Sequence, residues 1–136
     1  MDDPNTTLDH GKLILDKPFL RQIYTEWYQD MMARVNTVKE DGNVLEIGSG
    51  GGFLKSVFPK VITSDIMRLP NVDMVCDAEQ LPFEDHSMAG IVMLNVFHHI
   101  PRPYLFLKEA QRTLIEGGKI VMTEPANTLF SRFVYT

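Results

Sequence analysis

Apolar positions change their period once along this chain, near residue 42. Leu20, Tyr24, Trp27 and Met31 recur at steps of four, three and four, with Arg21, Glu26 and Gln29 between them, which is the spacing of one helix face. Asp16 offers a cap and Pro18 an early proline, and the pattern stops at the turn signal Asp41-Gly42. Residues 1–12 are polar, carry Pro4 and show no apolar period, so a mobile tail is expected there. Beyond Gly42 the apolar runs become short and β-rich. Val44–Ile47, Val61–Ser64, Val72–Val75, Ile91–Leu94 and Lys119–Met122 read as five strands. Between the last two, Pro103–Ile115 reads as a helix with Leu107, Ala110 and Leu114 on one face and Gly117 as its left-handed stop. Strands alternating with helical segments predict an α/β domain with a doubly wound parallel sheet, which binds ligands at its carboxyl ends.

The division that follows is a tail and cap helix over residues 1–42 and an α/β core over 43–136. With 136 residues and 44% hydrophobic positions, the chain can bury roughly two-thirds of its unfolded surface without a metal or disulfide staple. The single Cys76 cannot close an internal bridge and suits a reducing compartment. No signal-peptide pattern opens the sequence and no apolar run approaches a membrane span, so the expectation is a cytoplasmic protein with no membrane partner. Thirteen Lys and Arg against eighteen Asp and Glu give a net charge of −5. Without a basic run interleaved with aromatics, nucleic acid is not an expected partner.

The most informative stretch is Val44-Leu45-Glu46-Ile47-Gly48-Ser49-Gly50-Gly51-Gly52-Phe53, a strand, a glycine loop and a helix start. Glycine lets a ligand lie against the backbone at a helix N-terminus. A dinucleotide fingerprint G-x-G-x-x-G would need a third glycine where Phe53 stands, and no G-K-[ST] follows for a phosphate loop. A plain turn remains open for the loop alone. Asp65 closes the second strand, where a carboxylate can accept both ribose hydroxyls or act as a turn aspartate. Val75-Cys76-Asp77-Ala78-Glu79-Gln80-Leu81-Pro82-Phe83 repeats the strand-end acid, and the fourth strand runs into Asn95-Val96-Phe97-His98-His99.

The ordered set of Glu46-x-Gly48-x-Gly50-x-Gly52, Asp65, Asp77-Ala78, Asn95 and the Glu116-Gly117-Gly118 turn resembles the class I S-adenosylmethionine-dependent methyltransferases from about Val44 to Glu124. Leu81-Pro82-Phe83 is similar to the subfamily of quinone-biosynthesis and small-molecule methyltransferases. The resemblance implies a Rossmann-like sheet of order 3-2-1-4-5 and S-adenosylmethionine as cofactor. By position it implies that Glu46, Gly48, Ser49, Gly50 and Gly52 line the methionine end and that Asp65 holds the ribose. Ile66 and Met67 would enclose the adenine, Asp77 and Ala78 bond to it, and Asn95 sits beside the methionine.

Transfer of a sulfonium methyl group needs an acceptor held in line and, for acidic nucleophiles, a base. His98 and His99, after the fourth strand, are the candidates, since imidazole titrates near neutrality; capping or packing is the alternative for either. Tyr24, Trp27 or Tyr28 could line a ligand lid, although such aromatics also serve as core. No His, Cys or carboxylate spacing suggests a metal, and no G-x-S-x-G elbow suggests a hydrolase. Two departures from the family matter. Ala89 stands where an acid usually precedes the fourth strand, so weaker support of the Leu-Pro-Phe loop is expected. The family's last helix and two strands do not follow strand five, and Phe130, Phe133, Val134 and Tyr135 make an apolar end. A truncated chain, a partner or second copy at the strand-five edge, and a cofactor-binding module without turnover are all open. A nicotinamide oxidoreductase ranks below these. The leading expectation is methyl transfer to a small-molecule acceptor.

Overall fold

The computed structural model describes residues 3–35 and 42–126; Asp41 of the expected turn and the apolar end at Phe130–Tyr135 lie outside them. Two helices, α1 (Pro4–Asp16) and α2 (Pro18–Val35), precede β1 (Val44–Ile47), α3 (Phe53–Val57), β2 (Ile62–Asp65), β3 (Met74–Val75), β4 (Met88–Leu94), α4 (Pro103–Thr113) and β5 (Leu114–Thr123). The strands form one sheet in the order β3-β2-β1-β4-β5, and every adjacent pair is parallel. That is the expected doubly wound architecture.

Burial follows from the pleat. On β1 and β4, Leu45, Ile47, Ile91 and Met93 face one side, where Phe106 and Ala110 of α4 cover them. Val44, Val92 and Leu94 face the other, under Tyr28, Met31, Met32 and Val35 of α2 and Phe53 and Leu54 of α3. Alternate residues on a strand point to opposite faces, so both central strands are buried along their whole length and read as unbroken apolar runs. Among the described residues no helix is long and apolar enough to cross a membrane.

Four local expectations are corrected. Residues 4–12 are helix and not tail. Asp3 accepts the Thr6 amide at 3.3 Å and Pro4 occupies the first turn, where its missing N–H costs nothing. The inward positions of α1 include Thr7 and Gly11, too small or polar to register as an apolar period. On α2 the expected face holds at Leu20, Tyr24 and Met31, which are half-buried or buried, but Tyr28 takes the enclosed place expected of Trp27, which is 41% exposed. Tyr28 tolerates burial because its hydroxyl finds a partner in Glu46 at 2.7 Å.

The helix before β5 is the third correction. It ends at Thr113 with Phe106, Ala110 and Thr113 inward, whereas Leu107 is 46% exposed and Leu114 already belongs to β5. The Thr113 hydroxyl donates to the Glu109 carbonyl at 2.8 Å, which lets it face the core. Gly117, left-handed as expected with φ +77°, is therefore no helix stop. It lies in an irregularity where two steps along β4, from Met88 to Gly90, match five along β5, from Leu114 to Lys119.

The Leu-Pro-Phe loop is the fourth. Ala89 does not leave it weakly held, because Arg112 takes over the anchoring. Its guanidinium donates to the Phe83 carbonyl at 2.7 Å, the Leu81 carbonyl at 2.9 Å and the Asp85 carboxylate at 2.8 Å. Glu109, bonded to Arg112 at 2.8 Å, accepts the Leu81 amide at 2.8 Å.

α1 rests directly on the glycine loop. A β-carbon built on Gly11 would lie 2.9 Å from the Gly51 Cα, closer than a real β-carbon approaches backbone. Replacing a helical glycine in open surroundings by alanine stabilises by about 1 kcal/mol. Here Gly11→Ala is expected to have the opposite sign and to cost about 1–3 kcal/mol through overpacking, read as a lower urea midpoint.

Candidate functional site

The carboxyl ends of β1, β2 and β4 meet at the glycine loop. Gly48, Gly50 and Gly52 take φ of +71°, +51° and +75°, angles that cost most other residues steric strain. Gly48 has a second reason, since a β-carbon there would collide with the side chain of Val96 after β4. Ser49 fixes the loop to β2: its amide donates to the Ser64 carbonyl at 2.9 Å and its hydroxyl accepts the Ser64 amide at 3.1 Å. Asp65 completes the attachment. One carboxylate oxygen accepts the Gly50 amide at 3.0 Å and the other accepts the Met67 amide at 2.9 Å.

A pocket of about 370 Å³ opens beside this loop, within the usual size range for small-molecule sites. It is lined by Ile47 and Gly48 from the end of β1, Asp65 and Ile66 from the end of β2, Cys76–Glu79 after β3, and Val96 and His99–Arg102 after β4. Burial pushes the Cys76 thiol up to about 11, with the Ser64 hydroxyl pulling down and the Asp77 charge adding to the rise, so it is protonated at neutral pH and no nucleophile. Across the mouth Glu79 accepts the Arg102 amide and its Nε, both at 2.8 Å. Glu79 is itself held by its amide donating to Asp77 at 2.8 Å.

Of the expected site residues, Gly48, Asp65, Ile66, Asp77, Ala78 and His99 line this pocket. Ser49, Gly50, Gly52 and Met67 shape the loop around it. Asn95 ends β4 in the left-handed region at φ +57°, its amide donating to the Thr123 carbonyl at 2.8 Å. His98 is turned away from the pocket and pairs through Nδ1 with Glu124, although its ring lies 4.1 Å from that of His99. Tyr24 and Tyr28 pack on Phe53 and Trp27 on Tyr24; none of the three lines the pocket.

Glu79, Arg102 and Glu124 did not stand out in the sequence. Glu124 accepts the Val96 amide at 3.0 Å and the Phe97 amide at 2.8 Å as well as the His98 ring. Burial pushes its carboxyl up, but these three donors outweigh burial and leave it below the usual range. The 3₁₀ turn Phe97–His99 thus takes its position from a residue past the end of β5. Among the described residues no cluster of His, Cys, Asp or Glu could hold a metal.

Glu46 lies beneath the loop and is 1% exposed. Its Oε1 accepts from Tyr28, whereas Oε2 has no hydrogen-bond partner among the described residues. Burial raises its carboxyl to about 7, the Ser49 and Tyr28 hydroxyls pulling it back and the Asp65 charge adding to the rise.

Residues 45–122 match the model of a family described as a methyltransferase domain. Among curated relatives, "Probable tRNA methyltransferase 9B" of Bos taurus is 25% identical over 85% of the chain and 31% of its own length. "Probable phthiotriol/phenolphthiotriol dimycocerosates methyltransferase 2" of Mycobacterium ulcerans (strain Agy99) is 45% identical over 37% of the chain and 20% of its own length. The chain thus spans a third or less of the length of these relatives. A SAM-dependent methyltransferase from Aquifex aeolicus superposes with TM-score 0.63 at 22% identity, over 85% of this chain and 69% of that one, which is a likeness of fold.

The raised Glu46 carboxyl has a consequence for stability. Between about 4.5, where an unfolded glutamate ionises, and about 7 the unfolded chain gives up a proton that the folded chain keeps. Stability from this group is complete below that window and falls as pH rises through it, by on the order of 3 kcal/mol. Urea midpoints from about pH 5 to about pH 8 should fall in the wild type, and Glu46→Gln should flatten that slope.

Proposed function

The chain belongs to the methyltransferase-domain family, and from that premise we propose that it binds S-adenosylmethionine in this pocket and transfers the methyl group to a small-molecule acceptor. The observation that carries the reading is the convergence on one cavity of Gly48, Asp65 and the Asp77-Ala78 pair, the ends of three neighbouring strands. The residues fit the group. Asp65 gives one oxygen to each of two amides, and a carboxylate has about four acceptor sites, so both oxygens can still receive ribose hydroxyls. Asp77 spends Oδ1 on the Glu79 amide and has acceptor capacity left for an exocyclic amine. Gly48, without a β-carbon, leaves room for the methionine end, and Ile66 and Ile100 offer apolar contact to a ring.

Bound there, S-adenosylmethionine supplies an electrophilic methyl group on a positively charged sulfur. The chain's part is to orient and exclude water. His99 is the pocket imidazole able to take a proton from an acceptor; His98, engaged by Glu124, is the weaker candidate. The net charge of −5 favours a small acceptor over a polyanion, and an acceptor screen with small phenols and quinols in one arm and tRNA in the other tests that preference.

Isothermal titration with S-adenosylmethionine, with NAD as control, should show saturable binding of the first alone. Asp65→Ala should weaken it by about 1–3 kcal/mol, the loss of charge-assisted acceptors. Unchanged affinity in a folded variant would count against the ribose role. His99→Ala should lower kcat while leaving cofactor affinity within about twofold; an equal loss for His98→Ala would reassign the base.

A further inference from the structure

A buried acid with one unpartnered oxygen requires an explanation, since orphaned polar atoms of this kind are costly. Glu46 is that acid. The groups acting on it come from each element packed against it: the Tyr28 phenol of α2, with Tyr24 of the same helix acting on Tyr28, the Ser49 hydroxyl of the glycine loop and the Asp65 carboxylate of β2. They comprise two phenols, an alcohol and a second acid. The backbone is fixed as well, because the Ser64 hydroxyl donates to the Glu46 carbonyl at 2.8 Å.

Two buried acids beside one loop, one of them with an unpartnered oxygen among the described residues, form a place whose charge a cation would complete. We propose that Glu46 releases its proton to solvent when the cationic cofactor arrives and recovers it when the cofactor leaves, and that Tyr28 is the positioning residue that holds the charged form. The proposal rests on the S-adenosylmethionine reading above. That molecule carries a sulfonium, an ammonium and one carboxylate, a net positive charge. A positive charge nearby favours the ionised form of a carboxyl, and burial favours the neutral one. Without a neighbouring cation burial has the larger effect, and Glu46 sits near the balance point. Tyr28 is matched to this task, since its phenol is itself held well above the usual range by burial and the Glu46 charge and so remains a donor at every working pH. Its place on α2 ties the cap helices to the charge state of the cofactor site.

The experiment is carboxyl carbon NMR of the ¹³C-glutamate-labelled chain together with isothermal titration. The resonance missing in Glu46→Gln identifies the group. Its midpoint in the ligand-free wild type should fall near 7, and saturation with S-adenosylmethionine at that pH should move it to the ionised position. Titration in two buffers of different ionisation heat should then count about half a proton more released by the wild type than by Glu46→Gln, a difference that cancels the ligand's own titration. Tyr28→Phe, which removes a donor to the charged form, should raise the midpoint and increase the proton count, a change that a packing role would not produce. A midpoint in the ordinary glutamate range overturns the proposal, as do equal proton counts in a chain that binds. If Tyr28→Phe leaves the midpoint unmoved, the positioning role is overturned. No binding heat in a folded chain whose Glu46 resonance is in place would overturn the cofactor reading, and the linkage with it. The wild-type titration and its response to ligand read the proposal even if a variant fails to fold.

Discussion

The Asp65 carboxylate is the joint on which the site depends. It ends β2, the neighbour of β1 in a parallel sheet, and reaches over to accept an amide from the loop that β1 feeds, while its other oxygen accepts the Met67 amide. Two backbone segments that would otherwise move separately are thereby given one geometry. The left-handed angles at Gly48, Gly50 and Gly52 need such a restraint, because glycine loses more backbone freedom on ordering than any other residue. Without the Asp65 and Ser49 bonds to the loop, that entropy would oppose the cradle.

The glycine loop is pressed from two further directions. From above, α1 brings Gly11 against Gly51 with backbone nearly touching backbone. From below, Glu46 lies between the sheet and α2, with Tyr28 bonded to it. The cap is therefore part of the glycine loop's support and not an appended lid. Its helices are short of apolar pattern at the contact itself, since the approach is made through glycine and threonine on α1 and through a phenol and a carboxyl on α2.

That explains how far the sequence was legible. The strands and their parallel pairing could be read because buried parallel strands carry unbroken apolar runs, whereas their order came from the family resemblance and matches the sheet observed. Gly48, Asp65, Asp77 and Ala78, which line the pocket, were legible as strand-end glycine and acid positions, and their grouping into one site came from the resemblance. α1 was not legible, because its inward face mixes Thr7 and Gly11 with only two apolar residues, Leu8 and Ile14. On α2 the choice between Trp27 and Tyr28 turned on a single hydrogen bond to a residue 18 positions away. The anchoring of the Leu-Pro-Phe loop by Arg112, and of the His98-His99 turn by Glu124, spans nearly thirty residues in each case. Such pairs leave no periodic trace, and an acid absent at Ala89 reads as lost support until its substitute is seen in space.

The ties around the pocket also differ in their exposure to water. At the loop end, Asp65 and Ser49 bond to backbone in a buried setting. On the Glu79 side, the Arg102 side chain is 61% exposed while the carboxylate it pairs with is 8% exposed, so only one partner of that pair stands in water. The Arg102 amide bonded to Glu79 retains the rim's register without locking its side chains. The glycine-loop side of the pocket is thus held by buried bonds to backbone, and the Glu79–Arg102 side by a pair with one partner in water.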